Sequence, residues 1–184
     1  NLEKKGYIYR EWAPQAHALF LTGEFNDWEK YTHPLLKDEY GIWSIFLPEK
    51  DYKNSFTHGS KIKVLVQSDN GENFRIPAYI HRAVQDEDTK NFTGQVWLAN
   101  AFDWEGDNFR FENKDDLLIY ECHVGMAQEK EGVGTYTEFL KNILPRIKKA
   151  GYNAIQLMAI QEHPYYGSFG YHVSNFFAPS SRFG

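Results

Sequence analysis

Cysteine, excess positive charge and long apolar runs are all scarce in this sequence. A single cysteine among 184 residues cannot build a disulfide scaffold. The 25 Asp and Glu residues outnumber the 20 Lys and Arg residues, so the chain offers no strongly basic surface to the phosphates of nucleic acid. Its apolar runs fall far short of the ~18 residues that a membrane helix needs. These shortages predict a cytoplasmic protein that binds neither nucleic acid nor membrane.

The spacings that mark metal and cofactor sites are also missing. His163 and His172 have no ligand-like spacing with Cys122, which argues against zinc. The acidic stretch 86–91 lacks the glycine and the terminal glutamate of a calcium loop, and neither common glycine-rich phosphate loop is present. Cys122 lies in an apolar strand pattern, where a packed thiol is expected rather than a nucleophile. We therefore expect no metal and no cofactor.

The two ends of the sequence lack the usual start and stop features. The chain opens on Asn1 instead of Met, and no charged and then apolar leader follows. Residues 180–184 end without a terminating element. We expect the sequence to be a piece of a longer protein.

Residues 7–98 carry the pattern of an antiparallel β-protein. Short stretches rich in aromatic and β-branched residues alternate with turn formers about every eight to twelve residues, which is typical of a sandwich. Residues 42–47 are apolar on both faces and predict a strand that lies between layers. The turn formers at 69–71 predict a hairpin that joins residues 62–67 to 73–76.

The pattern changes after Trp97. Residues 103–116 are polar and read as a linker, and residues 117–120 form an apolar run typical of a strand covered on both faces. Thr135 and Glu138 have the spacing of a capping box at the start of a helix. Pro145 should kink this helix or make a local exception to its pattern, and Gly151 should end it. Residues 154–160 then predict a second buried strand, which completes a βαβ unit.

These patterns predict a multi-domain chain. We assign 1–102 to an all-β, immunoglobulin-like sandwich, 103–116 to a linker, and 117–184 to the first βαβ portion of a (β/α)₈ TIM barrel. A complete barrel takes ~250 residues, far more than remain after residue 116. The barrel therefore cannot close within this sequence.

Several stretches resemble the glycogen (1,4-α-glucan) branching enzymes of the α-amylase superfamily, glycoside hydrolase family 13. Residues 118–125 (LIYECHVG) resemble the first barrel strand of that family, 144–163 its first helix and second strand, and 165–184 the loop that follows. Upstream, residues 11–14 (EWAP), 23–28 (GEFNDW) and 58–63 (HGSKIK) resemble the family-48 carbohydrate-binding module that precedes the barrel.

The resemblance implies an enzyme that cleaves an α-1,4 glucosidic bond and transfers the freed oligoglucan to a 6-hydroxyl, forming an α-1,6 branch. Such retaining chemistry needs two carboxyl groups about 5 Å apart. In this superfamily the catalytic carboxylates follow the fourth, fifth and seventh barrel strands, which this sequence does not reach. We therefore assign no catalytic residue here, neither Glu121 nor Glu162, and expect this chain alone to bind glucan without branching it.

Two aromatic residues are the candidate substrate-binding residues. Tyr171 matches the aromatic that the superfamily places against the sugar at the cleavage subsite, and its ring can cover the apolar face of a glucose. Trp28 follows the turn-forming pair Asn26-Asp27 and matches a tryptophan that related modules stack on sugars. Trp43 and Lys63 are weaker candidates, for which we expect burial or a solvated strand face, and for His58 we expect a role in a turn.

Two alternatives remain open at this point: a debranching relative in the same superfamily, and a non-catalytic glycogen-binding adaptor. A debranching relative should diverge at residues 161–163 and 168–184, and an adaptor should not need the residues after 116. In all three cases the expected partner is an α-glucan such as glycogen, amylose or a maltooligosaccharide. The incomplete barrel also predicts self-association through its uncovered apolar strands.

Overall fold

The computed structural model describes residues 5–98, 100–112 and 116–184, and these residues divide into two units. The first unit contains 5–98 and 175–178, and the second contains 100–112, 116–174 and 179–184. The assignment of domains to 1–102, 103–116 and 117–184 stays a prediction, and parts of it, at 1–4, 99 and 113–115, fall outside the described residues. Residues 103–112 of the predicted linker form neither helix nor strand.

Eight antiparallel strands form the two sheets of residues 5–98 in the first unit. They are β1 (Gly6–Trp12), β2 (Ala18–Gly23), β3 (Leu36–Lys37), β4 (Ile42–Pro48), β5 (Lys61–Ser68), β6 (Gly71–Arg75), β7 (Ala83–Gln85) and β8 (Phe92–Gln95). One sheet has the order β1-β4-β3, and the other has the order β2-β5-β8-β7, with β6 also paired to β5. A short helix, α1 (Glu49–Tyr52), follows β4.

Both sheets contribute side chains to one apolar core. Leu19 and Leu21 of β2 and Val64 of β5 join Trp43 and Leu47 of β4 in a single buried cluster. Alternate positions along each strand point to the same face, so the inward row of each sheet meets the other across the core. This arrangement confirms the predicted β-sandwich.

Two local predictions for the sandwich can be compared with the structure. The hairpin is confirmed: Ser68 pairs with Gly71 at its end, and Gly71 takes a φ of 89°, which glycine adopts without strain. The prediction that strand 42–47 is covered on both faces is only half right. Trp43 and Leu47 are buried, whereas Ile42 and Ser44, on the opposite face, are half-buried.

A parallel strand pair forms the centre of the second unit. Strand β9 (Ile119–Cys122) pairs with β10 (Ala154–Leu157), with Ile119 opposite Ala154. The connection between them is helical: α2 (Tyr136–Glu138), a π-helical turn (Phe139–Ile143) and α3 (Leu144–Lys149). Strand, helix and parallel strand confirm the predicted βαβ unit.

The predicted helix signals act as expected. Thr135 Oγ1 accepts a hydrogen bond from the Glu138 backbone N at 3.1 Å, and Glu138 Oε2 accepts one from the Thr135 backbone N at 3.0 Å, which completes the capping box. Pro145 lies in the first turn of α3, directly after the π-helical turn. A proline is tolerated at this position because the backbone N–H that it lacks is not needed there. Gly151 follows the helix with a φ of 92°.

Residues 117–120 have the composition of a strand covered on both faces, but the incomplete barrel predicts that they stay uncovered in this chain. Leu117, Leu118, Ile119 and Tyr120 are all exposed, which confirms that expectation. The apolar residues of the connecting helix, such as Phe139 and Ile143, pack in the buried cluster that contains Cys122. The described residues also contain β11 (Gln161–Glu162), β12 (Asn175–Pro179) and 3₁₀ turns at Glu24–Asn26, Val124–Met126, Tyr166–Ser168 and Ser181–Phe183. No helix among the described residues is long and apolar enough to cross a membrane.

Candidate functional site

Trp28 stands on a turn with an unusual backbone. Strand β2 ends at Gly23, a 3₁₀ turn covers Glu24–Asn26, and Asp27 and Trp28 then take positive φ values of 52° and 62°. Positive φ costs a non-glycine residue roughly 1–3 kcal/mol and persists only where neighbouring contacts enforce it. Two such residues in succession, the second a tryptophan, give this turn a backbone conformation that depends on its neighbouring contacts.

Asn26 supplies the contacts that enforce this turn. Its Oδ1 accepts from the Gly23 backbone N at 2.9 Å, and its Nδ2 donates to Glu29 O at 2.9 Å and Thr32 Oγ1 at 3.0 Å. The Trp28 backbone N also donates to Gly23 O at 2.9 Å. The loop is thus closed on both sides of Trp28, whose side chain stays 39% exposed. The sequence analysis treated Asn26 only as a turn former, although an amide side chain three residues after a strand-ending glycine is able to bridge such a turn.

His33 ties this loop to the core of the first unit. Its Nε2 lies 2.7 Å from Tyr52 Oη, and its ring meets the Phe25 ring edge-on with centroids 4.9 Å apart. Burial lowers the pKa of His33. A neutral imidazole is therefore the form that the folded loop prefers.

The three weaker candidates, Trp43, His58 and Lys63, lie in surroundings typical of residues that support the fold. Trp43 is buried and its Nε1 donates to Ala13 O at 2.9 Å, as expected for a core residue. His58 lies in a turn where Gly59 takes a φ of 85°, which fits the predicted turn role. Lys63 is half-buried on β5.

Tyr171 lies in the second unit, on a loop that requires glycine at the preceding position. Gly170 has a φ of 85°, and a Cβ added to it would lie 2.0 Å from the backbone oxygen of Ala159. The backbone of this loop therefore approaches the end of β10 more closely than any other residue type would allow. The Tyr171 side chain is 67% exposed. The structure describes Trp28 and Tyr171 in different units, so each is a candidate site by itself.

The two glutamates excluded as catalytic residues differ in their surroundings. Glu162 is 1% exposed and accepts hydrogen bonds from the backbone N atoms of His163 at 3.0 Å and Ser181 at 2.7 Å. A carboxylate with its oxygens engaged in this way positions backbone and does not face a substrate. Glu121 is exposed and contacts the amide of Gln156 at 3.4 Å.

Burial favours the neutral forms of Cys122 and His123 in the second unit. Burial raises the pKa of the Cys122 thiol, with a smaller contribution from the charge of Glu121, so the thiolate is disfavoured. Burial also lowers the pKa of His123, as does nearby His163. Asn175, which belongs to the first unit, is buried. Across residues 5–98, 100–112 and 116–184, no three His, Cys, Asp or Glu side chains group as a metal site.

Comparison with known proteins finds relatives of residues 1–80 and relatives of the whole sequence. Residues 1–80 match the family of carbohydrate-binding module 48, the isoamylase N-terminal domain. The 1,4-alpha-glucan-branching enzyme of Dictyostelium discoideum is 47% identical, over 100% of this chain and 27% of its own length. That of Saccharomyces cerevisiae is also 47% identical, over 100% of this chain and 28% of its own length. The chain thus spans about a quarter of the length of these relatives.

Solved structures share the fold at much lower identity. A pullulanase from Group B Streptococcus has a TM-score of 0.75 and 18% identity, covering 100% of this chain and 28% of that chain. A pullulanase from Paenibacillus barengoltzii has a TM-score of 0.72 and 20% identity, covering 96% of this chain and 30% of that chain. The similarity in sequence and the shared fold agree: the chain is similar over its whole length to 1,4-alpha-glucan-branching enzymes, and its residues 1–80 match carbohydrate-binding module 48.

Proposed function

We propose that this chain is the N-terminal part of a 1,4-α-glucan branching enzyme. The whole protein would cleave an α-1,4 glucosidic bond and transfer the freed oligoglucan to a 6-hydroxyl, which creates an α-1,6 branch in glycogen. The observation that carries this proposal is the 47% identity to the Dictyostelium discoideum enzyme over 100% of this chain. A cytoplasmic location goes with the proposal, in line with the single cysteine.

The two alternatives have weaker support. The pullulanases are at most 20% identical among the structures compared, and such similarity concerns the fold alone. A non-catalytic adaptor would need only the carbohydrate-binding module, yet the similarity to branching enzymes continues through the residues after 116. We therefore favour the branching enzyme over both.

The first unit would bind the α-glucan, with Trp28 as its platform. A pyranose ring has an apolar C–H face and polar hydroxyls at its rim, so it stacks on a flat indole and still keeps its contacts with water. Rigid positioning increases the affinity of such a contact because little side-chain entropy remains to be lost. The clamp that Asn26 forms around the turn supplies this rigidity.

The second unit would be the beginning of the catalytic (β/α)₈ barrel. Its parallel β9-β10 pair with a helical connection is the repeating unit of that architecture. Tyr171 follows β10 in the chain, and loops after barrel strands form the catalytic face of such enzymes. In the complete enzyme Tyr171 would stack on the sugar at the cleavage subsite.

This chain alone would not catalyse branching. Retaining transfer requires a nucleophilic carboxylate and a second carboxyl group about 5 Å away. Glu162 is engaged in backbone hydrogen bonds, and we assign no role in catalysis to Glu121. The exposed apolar residues 117–120 would instead promote self-association of the isolated chain.

Electrophoresis in a gel that contains glycogen tests the binding proposal. The 184-residue chain should be retarded, and Trp28→Ala should be retarded much less, because loss of a stacked ring costs roughly 1–3 kcal/mol by analogy with base stacking. Trp12→Ala is the matched control, since Trp12 is 61% exposed and lies outside the turn. Equal retardation of the two variants would refute the role of Trp28. Equal melting temperatures would show that the difference is not caused by unfolding.

A further inference from the structure

A second aromatic pocket lies on the first unit and shares no residue with the Trp28 turn. It has a volume of about 250 Å³ and is lined by Ile8, Tyr9, Arg10, Pro77, Tyr79, Ile80, His81 and Trp97. Residues 8–10 belong to β1, whereas 77–81 precede β7 and Trp97 follows β8. Trp97 is 42% exposed, and Tyr79 and Arg10 are also exposed.

A buried carboxylate fixes two walls of this pocket relative to each other. Glu11 Oε2 accepts from Tyr9 Oη at 2.8 Å and from the Ala78 backbone N at 2.9 Å. Glu11 thereby joins strand β1 to the 77–81 segment. Burial raises the pKa of Tyr9, and the neighbouring charge of Glu11 raises it further, so the phenol keeps its proton and remains the donor.

Close packing fixes the 77–81 segment from its other side. A Cβ on Gly94 would lie 3.2 Å from both Ile80 Cγ1 and Pro77 Cδ, so the segment lies as near to β8 as a glycine permits. The Gln95 backbone N also donates to Arg82 O at 2.9 Å. The wall that carries Tyr79 is therefore preformed.

Trp97 is held by contacts of its own. The His58 ring lies 4.3 Å from the indole, and the Arg82 guanidinium carbon lies 5.2 Å from the ring centroid. The Leu98 backbone N donates to His58 Nδ1 at 3.1 Å, which fixes the imidazole. Trp97 thus has a fixed ring and an exposed portion that faces the pocket, which is the property that distinguishes an aromatic platform from a mobile surface tryptophan.

We propose that this pocket binds a glucosyl unit of an α-glucan chain, as a second contact site on the module besides Trp28. The proposal rests on the proposed function, which supplies the ligand class. Trp97 and Tyr79 present aromatic surface to the apolar face of a pyranose, and Arg10 and His81 present donors to its hydroxyls. The pocket is smaller than the ~300–1,000 Å³ of sites for drug-sized ligands, which suits one or two sugar rings.

The charge of Arg10 disfavours a cationic ligand. Among the described residues that line the pocket, no carboxylate offsets this charge. A neutral polyol or an anion fits this lining. Two contact sites on one module would raise the avidity for a polymer that reaches both, without any new contact at either.

The five tryptophans make the two sites separately observable by NMR. In the ¹⁵N-labelled 184-residue chain each indole N–H gives one signal, assigned by single substitutions. Maltoheptaose should shift the Trp97 signal to saturation, both in the unaltered chain and in Trp28→Ala. Arg10→Ala should weaken the response at Trp97 at least about fivefold. Arg75→Ala, which removes an exposed arginine outside the pocket, should leave it unchanged.

Any other result refutes the proposal that this pocket binds glucan. If the Trp28 signal shifts and the Trp97 signal does not, glucan binding at Trp28 stands and the second site is refuted. If neither signal shifts, the proposed glucan binding fails as well. A Trp97 shift that disappears in Trp28→Ala, or that follows inorganic phosphate and not maltoheptaose, also overturns the proposal.

Discussion

Replacement of Gly170 by alanine should destabilise the Tyr171 loop far more than backbone conformation alone would require. The residue has a φ of 85°, where an alanine costs roughly 1–2 kcal/mol. Its Cβ would also lie 2.0 Å from the Ala159 oxygen, whereas real Cβ contacts stay beyond 3.0 Å, so one backbone must move by about an ångström. Overpacking of this kind typically adds roughly 1–3 kcal/mol. We expect a total cost of about 2–5 kcal/mol.

Gly151 provides the matched control in the same unit. It has a φ of 92°, and a Cβ there would meet nothing within 4 Å, so Gly151→Ala should cost only the conformational 1–2 kcal/mol or so. Amide hydrogen exchange of Met158 and Ser180, whose N–H groups donate to Cys122 O and Ile160 O, reports the stability of the surrounding strands. Exchange should accelerate at least about fivefold more in Gly170→Ala than in Gly151→Ala. Equal acceleration would show that the close approach to Ala159 does not constrain the loop.

Four further outcomes follow from the structure. Thr135→Ala should remove about 1 kcal/mol from the connecting helix by loss of its N-cap, and an unchanged urea midpoint of the second unit would contradict the capping box. Burial lowers the pKa of His33 and His123 in the folded chain, so below about pH 6.5 the unfolded chain binds protons more readily than the folded chain does. The free energy of unfolding should therefore fall as the pH drops from 7.5 to 5.5, and a constant urea midpoint would contradict this. The 184-residue chain should leave the spectrum of iodine-stained amylose unchanged, and a shift that grows with protein concentration would show an unrecognised catalytic pair. In the complete enzyme, Tyr171→Ala should lower kcat/KM at least about fivefold, whereas Tyr165→Ala, which removes a tyrosine exposed to 66% against 67% for Tyr171, should not; equal effects would make Tyr171 a packing residue.

Local features of the fold were accessible from the sequence because they depend on neighbouring residues. The capping box needs only Thr135 and Glu138 at the right spacing, and it forms as expected. The hairpin needs turn formers between two apolar stretches, and Gly71 takes the left-handed conformation that closes it. In both cases the interactions span a few residues, so composition and spacing suffice.

The covering of apolar strands depends on more than their composition. The run at residues 117–120 has the composition of a strand buried on both faces, yet it is exposed here. Composition reports the environment for which a strand is suited, whereas burial depends on which neighbours are present in the folded chain. In the same way, Ile42 and Ser44 are only half-buried on β4.

By itself the sequence determined the β-sandwich, the βαβ unit that follows it, and the family resemblance that gives Trp28 and Tyr171 their candidate roles. Only the tertiary structure decided how those roles are supported. The hydrogen bonds of Asn26 around Trp28 lie within one loop. In contrast, the hydrogen bond that the Ala78 backbone N donates to Glu11 joins residues far apart in the chain. Likewise, the need for glycine at position 170 comes from the carbonyl oxygen of Ala159. Such contacts depend on distances between atoms from separate elements, and no spacing along the sequence encodes them until the chain has folded.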